Sequence, residues 1–515
     1  MSLENDNKEL SQQIKQDLKL SVLSGPLTTI IPILSYAFLY PIILIRTNIE
    51  VLGLWSLYVT TASFFTVADF GFSQHFIREA SKEKTSDALD TIKFELFSAR
   101  RFYLILGFLI TLTILALNEF LFISTDKIYP SSGLLFSALV IVSGAIIQMI
   151  SSLDSAILSA RADNYFVRLI RSVSPLFTYG IAVAGALLSY PIEGFAIGFF
   201  ISNIFLVIVF QLRLRFKHKD WHSIRISASI VESLKSIKVL WQKTWQLYSV
   251  SVGMLIRQPI VRYVIAITLG LSSVGAFDIA MRVTTALRDL VAAGFNPLYP
   301  SLSYFYRKND RDKIIRVIRI SLFILIPFGV ISTILLTSYS ELLYKIWLKE
   351  IPPETISATF ILMLWQFMTL INVPFWHLLL ASHNEKIAAI SIWVHTLSIL
   401  LIIPFEVFGI HFTIYSLLVY WTLTAVLTQF LIYYFVEKKM SMFWIVFKNK
   451  QMIAILSLNL IYLIIIAISG LLFQENWLLE KFNIGILYFD RLVLTLIAII
   501  ILSPFYIKIL KQNKE

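Results

Sequence analysis

The chain has 515 residues, 57% of them hydrophobic and 15% charged, and its mean hydropathy is +0.77. This composition excludes a soluble globular protein and is typical of a polytopic membrane protein. Cysteine is absent, which excludes disulfides, thiolate metal sites and cysteine nucleophiles. The net charge of +12 indicates basic cytoplasmic loops in a membrane protein, so we expect no nucleic-acid partner.

Hydrophobic segments long enough to cross a bilayer recur along the whole chain. The first 19 residues are polar and lack the features of a signal peptide, so the first hydrophobic segment is expected to remain as a helix. A hydrocarbon core of about 30 Å needs about 20 apolar residues in a helix. We therefore predict an all-α polytopic membrane protein with about 14 transmembrane helices, at residues 20–45, 51–74, 102–123, 133–158, 173–189, 194–212, 244–268, 275–303, 320–338, 355–381, 387–405, 409–436, 452–473 and 492–510.

The distribution of basic residues orients these spans. With fourteen helices, 34 Lys and Arg fall on the side of the N-terminus and six on the other side, while four arginines lie inside the membrane. The excess of positive charge marks the cytoplasmic side, so both termini are predicted to be cytoplasmic. The charges of the eighth span depress its hydropathy, and a hydropathy window is expected to miss it. Removing that span would reverse every later loop and destroy the charge bias.

An internal repeat relates the second and eighth spans. Both carry a polar stripe at the same helical spacing. At an offset of 222 residues the matched pairs are Gly53 with Gly275, Ser56 with Asp278, Thr60 with Arg282, Ser63 with Thr285 and Gln74 with Asn296. A recurring tetrapeptide, at 59–62 and 283–286, has an offset of 224, so the register is open by about two residues.

This repeat defines the expected domains. Residues 1–218 form an N-terminal lobe of helices 1–6, and residues 244–436 form a C-terminal lobe of helices 7–12. Six helices are an even number, so the repeat is parallel and its axis follows the membrane normal. Residues 219–243 form a cytoplasmic linker, either an amphipathic helix on the membrane surface or a solvated loop. Residues 437–515 add helices 13 and 14.

Charged residues inside spans seven and eight are the candidate substrate-binding site. A charge at the bilayer centre costs about 2.5–3.5 kcal/mol, so such residues face a water-filled cavity or a partner. Four arginines against two aspartates predict a cationic cavity for an anionic substrate. Arginine suits phosphate because its planar fork forms bidentate hydrogen bonds. The predicted substrate-binding residues are Arg257, Arg288, Arg282, Arg262, Asp289, Asp278 and Thr60.

Internal ion pairing is the alternative interpretation of this cluster. Asp278 and Arg282 are four residues apart on one helix face and form an ion pair in this interpretation. Asp289 similarly neutralises one arginine, and pairing both aspartates still leaves two arginines in excess. Arg262 points away from the face of Arg257 unless Pro259 turns the helix.

Other titratable residues are weaker candidates. Asp69, at the end of the second span, is interpreted as structural, and Asp154 either faces the cavity or pairs with Arg161. Single histidines on apolar helices are interpreted as packing residues rather than proton carriers. These are His377, His395 and His411.

Two six-helix lobes, a basic linker and a terminal helix pair together resemble the multidrug/oligosaccharidyl-lipid/polysaccharide exporter (MOP) superfamily. The second span, with Gly53-Leu54-Trp55-Ser56 near its start and Asp69-Phe70-Gly71-Phe72-Ser73-Gln74 at its end, followed by Arg78-Glu79, resembles its lipid-linked oligosaccharide flippases, including those for O-antigen. The resemblance extends over helices one to twelve and implies a MATE-like pair of lobes with alternating access to a central cavity.

The function implied by the resemblance is transport of a polyprenyl-pyrophosphate-linked oligosaccharide from the cytoplasmic to the outer leaflet of the bacterial cytoplasmic membrane. Implied partners are this lipid-linked oligosaccharide, membrane lipids and polysaccharide assembly proteins, with H⁺ or Na⁺ as candidate coupling ions. A lipid II flippase is the alternative within the superfamily. A cation-coupled multidrug exporter fits less well, because cationic drugs favour carboxylate-lined cavities.

An enzyme is the least favoured class. A membrane polymerase or ligase needs a folded outer loop, whereas the longest predicted outer loop, residues 474–491, is about eighteen residues long. The sequence shows no metal-ligand spacing, nucleophile elbow or phosphate-binding glycine loop. We therefore expect no enzymatic activity, no catalytic residues, no bound metal and no cofactor.

Overall fold

The computed structural model describes residues 30–448 except 68, 82–85, 118–127, 162, 219–228, 296–297, 350–351, 353 and 383. All regular secondary structure in these residues is helical. The chain divides into two compact units, Met1–Asp278 and Ile279–Glu515, which are described separately below. The predicted helices 13 and 14 lie outside the described residues.

The first unit contains the helices that position the candidate site. They are α1 (Ile30–Arg46), α2 (Ile49–Val67), α3 (Phe72–Ala80), α4 (Ser86–Ala116), α5 (Ser131–Ala160), α6 (Asn164–Leu187), α7 (Pro191–Lys217), α8 (Ile230–Leu269) and the beginning of α9 (Leu271–Ala293).

The second unit continues α9 and contains α10 (Leu298–Arg307), α11 (Arg311–Leu348), α12 (Thr355–Ala381), α13 (Glu385–Ser398), a 3₁₀ turn (Ile399–Leu401), α14 (Ile402–Val407), α15 (Ile414–Met440) and α16 (Phe443–Phe447). The bounds of α12 are those that the sequence predicts.

Nine helices in the described part of the chain are long and apolar enough to cross a membrane. The 27-residue α7, for example, rises about 40 Å at about 1.5 Å per residue, which exceeds the hydrocarbon thickness. Helix α9 is not among the nine, because Asp278, Arg282, Arg288 and Asp289 lie within its 23 residues. This agrees with the expectation that a hydropathy window misses the eighth span.

The predicted second span is two helices rather than one. Helix α2 ends at Val67 and α3 begins at Phe72, with Phe70 and Gly71 between them at φ values of 54° and 73°. These left-handed conformations interrupt the helix, and glycine adopts them without steric cost. The polar side chains of Asp69 and Ser73 at the break make hydrogen bonds with α4 and α5 of the first unit.

The predicted linker and the seventh span are joined in one helix of 40 residues, α8. It begins at a capping box, in which the Ser229 hydroxyl accepts from the backbone N–H of Glu232 and the Glu232 carboxylate accepts from that of Ser229. Pro259 lies inside this helix. The predicted eighth span is divided into α9 and α10, and the four residues between them include a glycine and a proline.

Small residues allow close packing within the first unit. A Cβ atom on Gly185 of α6 would lie 2.6 Å from the Cα atom of Gly194 on α7, and α7 carries a second glycine, Gly198, one turn later against Thr178. In a membrane, helices associate through such van der Waals contact because lipid tails are as apolar as leucine. An apolar cluster of α3, α4, α5 and α7, including Phe72, Tyr103, Leu153 and Phe210, packs beside the α2–α3 turn.

Candidate functional site

Arg262 and Asp278 form a buried ion pair within the first unit. The Arg262 side chain is 4% exposed and that of Asp278 is fully buried. Arg262 donates to Asp278 Oδ1 from Nε at 2.9 Å and from Nη2 at 2.6 Å. Desolvating two charges is costly, and only close, well-directed hydrogen bonds of this kind compensate for it.

Further contacts surround this ion pair. Arg262 Nε also donates to the Ser56 hydroxyl at 3.2 Å, and the guanidinium lies 5.4 Å from the centre of the Phe277 ring. The Tyr40 hydroxyl donates to the other carboxylate oxygen of Asp278. The network connects α1, α2, α8 and α9. It also brings Ser56 and Asp278, which the repeat predicts to be equivalent, onto the same arginine.

This arrangement changes the interpretation of the charged cluster. The spacing on α9 suggests Arg282 as a partner of Asp278, and the structure adds Arg262, sixteen residues earlier on α8, as a donor to this carboxylate. Arg262 is therefore engaged inside the first unit, where it positions neighbouring helices. It is a poorer candidate for direct substrate contact than the sequence suggests.

Arg288 contacts its neighbour on α9. Its Nε and Nη2 atoms donate to Asp289 Oδ1 at 2.9 and 2.6 Å. The Arg288 side chain is 19% exposed and that of Asp289 is 41% exposed, so the pair is accessible. The suggestion that Asp289 neutralises one arginine thus has a structural basis.

The remaining predicted site residues lie in different units. Thr60 is buried and Arg257 is partly buried in the first unit, whereas Arg282 is partly buried in the second unit. The proposal that these residues and Arg288 line one cationic cavity remains a prediction.

A polar cavity of about 400 Å³ lies within the first unit. It is formed by the α2–α3 turn with α3, α5, α6 and α7. Its lining residues are Asp69, Ser73, Gln74, Gln148, Met149, Ser151, Ser152, Arg171, Ser174 and Leu206. Of these, Asp69, Ser73 and Gln74 belong to the motif at the end of the predicted second span.

Asp69 organises one wall of this cavity. Its Oδ1 atom accepts from the hydroxyls of Tyr103 at 2.9 Å and Ser152 at 3.0 Å. The Ser73 hydroxyl also donates to Oδ1 at 3.0 Å, and the Ser73 amide donates to Oδ2 at 3.3 Å. These bonds join the α2–α3 turn to α4 and α5, which agrees with a structural role for Asp69.

Arg171 is a cavity residue that the sequence analysis missed. The count of basic residues on each side of the membrane places Arg171 in a cytoplasmic loop, because the fifth span is predicted to begin at residue 173. In the structure α6 begins at Asn164, so Arg171 lies two turns inside the helix. Its Nη2 atom donates to Ser155 on α5 at 2.7 Å. The sequence feature that indicates Arg171 is a polar stripe on α6, in which Ser174 follows Arg171 by three residues.

Other polar residues have structural partners. Asp154 is fully buried and pairs with Arg100 of α4, which the sequence analysis did not consider. His395 Nε2 lies 3.2 Å from the carbonyl oxygen of Trp421, and its ring stacks on that side chain at 5.4 Å. His411 Nδ1 lies 2.8 Å from Glu406 Oε1.

A charged cluster links the connection between α5 and α6 to the end of α7. Asp163, just before α6, contacts Lys217 Nζ at 2.7 Å, Arg213 Nε at 2.9 Å and His218 Nε2 at 3.5 Å. Burial alone would raise the pKa of the Asp163 carboxyl, but its interactions with His218, Arg213 and Lys217 outweigh burial and hold the pKa below its usual range.

Comparison with known families identifies the chain. A family model described as polysaccharide biosynthesis protein matches residues 50–349, more than half of the sequence. The chain belongs to this family. The match extends from α2 through α11 and includes all the charged residues of α8 and α9. No curated protein sequence matches the chain.

Solved structures share the fold of this family member at low sequence identity. The lipid II flippase MurJ, in an inward closed conformation, has a TM-score of 0.64 and 14% identity, with 97% of this chain and 99% of that chain covered. An inward-facing multidrug resistance MATE family transporter of the MOP superfamily has a TM-score of 0.59 and 15% identity, with coverages of 86% and 99%.

A third similar structure is a MOP superfamily transporter from Pyrococcus furiosus, in which the reverse polarity of the binding pocket suggests a different function. Its TM-score is 0.55 and its identity 14%, with 83% of this chain and 96% of that chain covered. Together these matches show an all-α, multi-pass membrane protein with the fold of MOP superfamily transporters. The resemblance stated from the sequence is confirmed.

Proposed function

We propose that this protein is a flippase that moves a polyprenyl-pyrophosphate-linked oligosaccharide from the cytoplasmic to the outer leaflet by alternating access. The observation that carries the proposal is the polysaccharide biosynthesis family match over residues 50–349, in a chain with the fold of MOP transporters. We further propose that it acts in the bacterial cytoplasmic membrane, with both termini in the cytoplasm, as a transporter without enzymatic activity.

The charge of α8 and α9 supports an anionic substrate. Within residues 244–293, four arginines and two aspartates leave a net charge of +2 whichever residues pair with one another. A positive field concentrates pyrophosphate, and guanidinium groups bind it with directed hydrogen bonds. Because the Arg262–Asp278 pair is buried inside the first unit, whereas the Arg288–Asp289 pair is partly exposed, we assign direct substrate contact to Arg257, Arg282 and Arg288 rather than to Arg262. In this proposal, the Asp289 carboxylate partly neutralises the charge of Arg288, and the Thr60 hydroxyl forms a hydrogen bond with the substrate.

A lipid II flippase is the second candidate, because the similar flippase structure covers nearly all of this chain. Both substrates carry a pyrophosphate, so the arginines do not separate the two proposals. The two proposals differ in the glycan that is transported, and the family description favours a polysaccharide precursor. For a multidrug exporter of cationic compounds, the net positive charge of α8 and α9 has the wrong sign.

Export of surface polysaccharide in a flippase-null strain tests the proposal. Arg257→Ala and Arg288→Ala should each reduce export strongly, since one charge-assisted hydrogen bond contributes about 1.5–3 kcal/mol, or roughly ten- to a hundredfold in binding. Lysine should rescue in part, because it keeps the charge but loses the planar fork.

Arg46→Ala is a suitable control, because this arginine is exposed at the end of α1, outside the charged cluster. Membrane levels of each variant should be compared by immunoblot. Full export by the Arg257→Ala, Arg288→Ala double variant would refute the role of a cationic cavity.

A further inference from the structure

Polar stripes on two otherwise apolar helices meet at the cavity of the first unit. On α5, Gln148, Ser151 and Ser152 are separated by three and four residues and share one face. On α6, Arg171 and Ser174 are three residues apart and face the same cavity. Two helices that are apolar enough to cross a membrane thus place hydroxyl, amide and guanidinium groups together. Such residues in spanning helices mark substrate pathways.

The lining offers hydrogen bonds without a net charge. Its charged residues are Arg171 and Asp69, which balance. The Asp69 carboxylate already accepts bonds from Tyr103, Ser152 and Ser73. A free cation would meet the guanidinium of Arg171, and a phosphate would meet the carboxylate of Asp69, so neither ion is favoured. A neutral ligand that both donates and accepts hydrogen bonds suits this lining.

Gln148 supplies a specific acceptor. Its Oε1 atom is buried and has no hydrogen-bond partner among the residues that the structure describes. A buried acceptor without a partner is costly, and a hydroxyl donor from a ligand removes that cost. Met149 and Leu206 add apolar surface to the same cavity. Hydroxyl groups together with apolar C–H faces are the surface of a sugar ring.

We propose that this cavity is a glycan subsite, in which Gln148, Ser151 and Arg171 bind a neutral sugar unit of the lipid-linked oligosaccharide. This inference rests on the proposed flippase function and assigns the recognition of the glycan to the first unit. The cavity volume of about 400 Å³ lies in the lower part of the range for small-molecule sites, about 300–1,000 Å³. A short stretch of the glycan therefore suffices to fill it.

Binding to the purified full-length protein in nanodiscs tests this subsite. The probes are lipid-linked oligosaccharide extracted from the host, polyprenyl pyrophosphate without glycan, and the glycan released from the lipid. Gln148→Leu and Ser151→Ala should each weaken binding of the glycan-bearing lipid about three- to tenfold, the effect of one hydrogen bond. Both variants should bind polyprenyl pyrophosphate as the wild type does.

Ser143→Ala is the matched control for Ser151→Ala. Both serines lie on α5 and donate to a carbonyl of their own helix, Ser143 to Leu139 and Ser151 to Gln148, but Ser143 is exposed outside the cavity. The control should bind both lipids like the wild type. Inorganic phosphate should not displace the released glycan.

Each contrary result has one meaning. Unchanged binding of the glycan-bearing lipid by both cavity variants overturns the subsite and leaves the flippase proposal intact. Equal loss of both lipids, or displacement of the glycan by phosphate, overturns the subsite in favour of a pyrophosphate or anion site. A wild-type protein that binds neither lipid overturns the proposed function itself.

Discussion

Gly53 on α2 and Gly275 on α9 make reciprocal contacts across the interface of their helices. A Cβ atom on Gly53 would overlap the carbonyl oxygen of Leu271 and lie 3.2 Å from the amide nitrogen of Gly275. A Cβ atom on Gly275 would lie 2.6 Å from the carbonyl oxygen of Ile49. Adding 222 to 49 and 53 gives 271 and 275, so each glycine meets the equivalent of the other's neighbour. Such reciprocity is typical of a two-fold relation and supports the offset of 222.

Alanine at Gly53 should therefore destabilise the protein. The methyl group would collide with backbone rather than with a side chain that can move, and overpacking of this kind costs about 1–3 kcal/mol or more. Thermal unfolding in detergent measures the effect. Gly180→Ala on α6 is the control, because nothing lies within 4 Å of a Cβ atom placed there. Equal melting temperatures for the two variants would contradict the tight packing of α2 against α9.

Arg262→Ala should be destabilising, because it removes the guanidinium that donates two hydrogen bonds to the buried Asp278 carboxylate. Loss of one member of a buried ion pair costs about 3–5 kcal/mol. Arg262→Gln combined with Asp278→Asn should retain more stability than Arg262→Ala, since both charges of the Arg262–Asp278 pair are then removed together. Melting temperatures and yields of folded protein provide the measurement. A mild effect of Arg262→Ala would show that the ion pair contributes little to stability.

Asp163→Asn should make the melting temperature less sensitive to a fall in pH. The pKa of Asp163 is lowered in the folded protein, so its stabilising effect is complete above its unfolded pKa of about 3.9 and disappears as pH falls through the folded value. The variant should therefore melt below the wild type at neutral pH, and the difference should narrow below about pH 4. Asp90→Asn, at an exposed aspartate on α4, is the control substitution.

Membrane topology can be tested with single cysteines, because the natural chain has none. Cysteine at Ser131, at the start of α5, should react with an impermeant reagent added outside intact cells. Cysteine at Lys308, just after α10, should not react until the membrane is permeabilised. The expectation follows from the charge bias, which places Lys308 on the cytoplasmic side. External labelling at Lys308 would mean that the charged helix α9 does not cross the membrane.

The sequence predicts most helices well, because long apolar segments and short polar connections define them locally. Helix α12 has the predicted bounds, whereas the break at Phe70 and Gly71 was missed. One glycine inside an apolar run is ambiguous, and the turn that it forms is held by contacts of Asp69 with α4 and α5, which are distant in sequence. Local pattern therefore locates spans more reliably than it locates interruptions within them.

The site was only partly predictable. Charge in an apolar helix identifies Arg262 and Asp278 as unusual, and local spacing suggests only Arg282 as a partner of Asp278. Pairing of Arg262 with Asp278 depends on how α8 and α9 pack, which no periodicity in either helix specifies. Arg171 was missed for a different reason. Its helix begins earlier than the apolar run, and the charge count then assigned it to a loop.

Helix α8 has a mechanical consequence. Its 40 residues amount to roughly 60 Å of continuous helix, about twice the hydrocarbon thickness. A helix of that length acts as a lever, so a tilt of about 10° at one end displaces the other by roughly 10 Å. Probes attached near Ile230 would therefore amplify small rearrangements around Arg257 and Arg262. The segment predicted as a linker is therefore a position at which conformational change can be measured, far from the residues proposed to bind substrate.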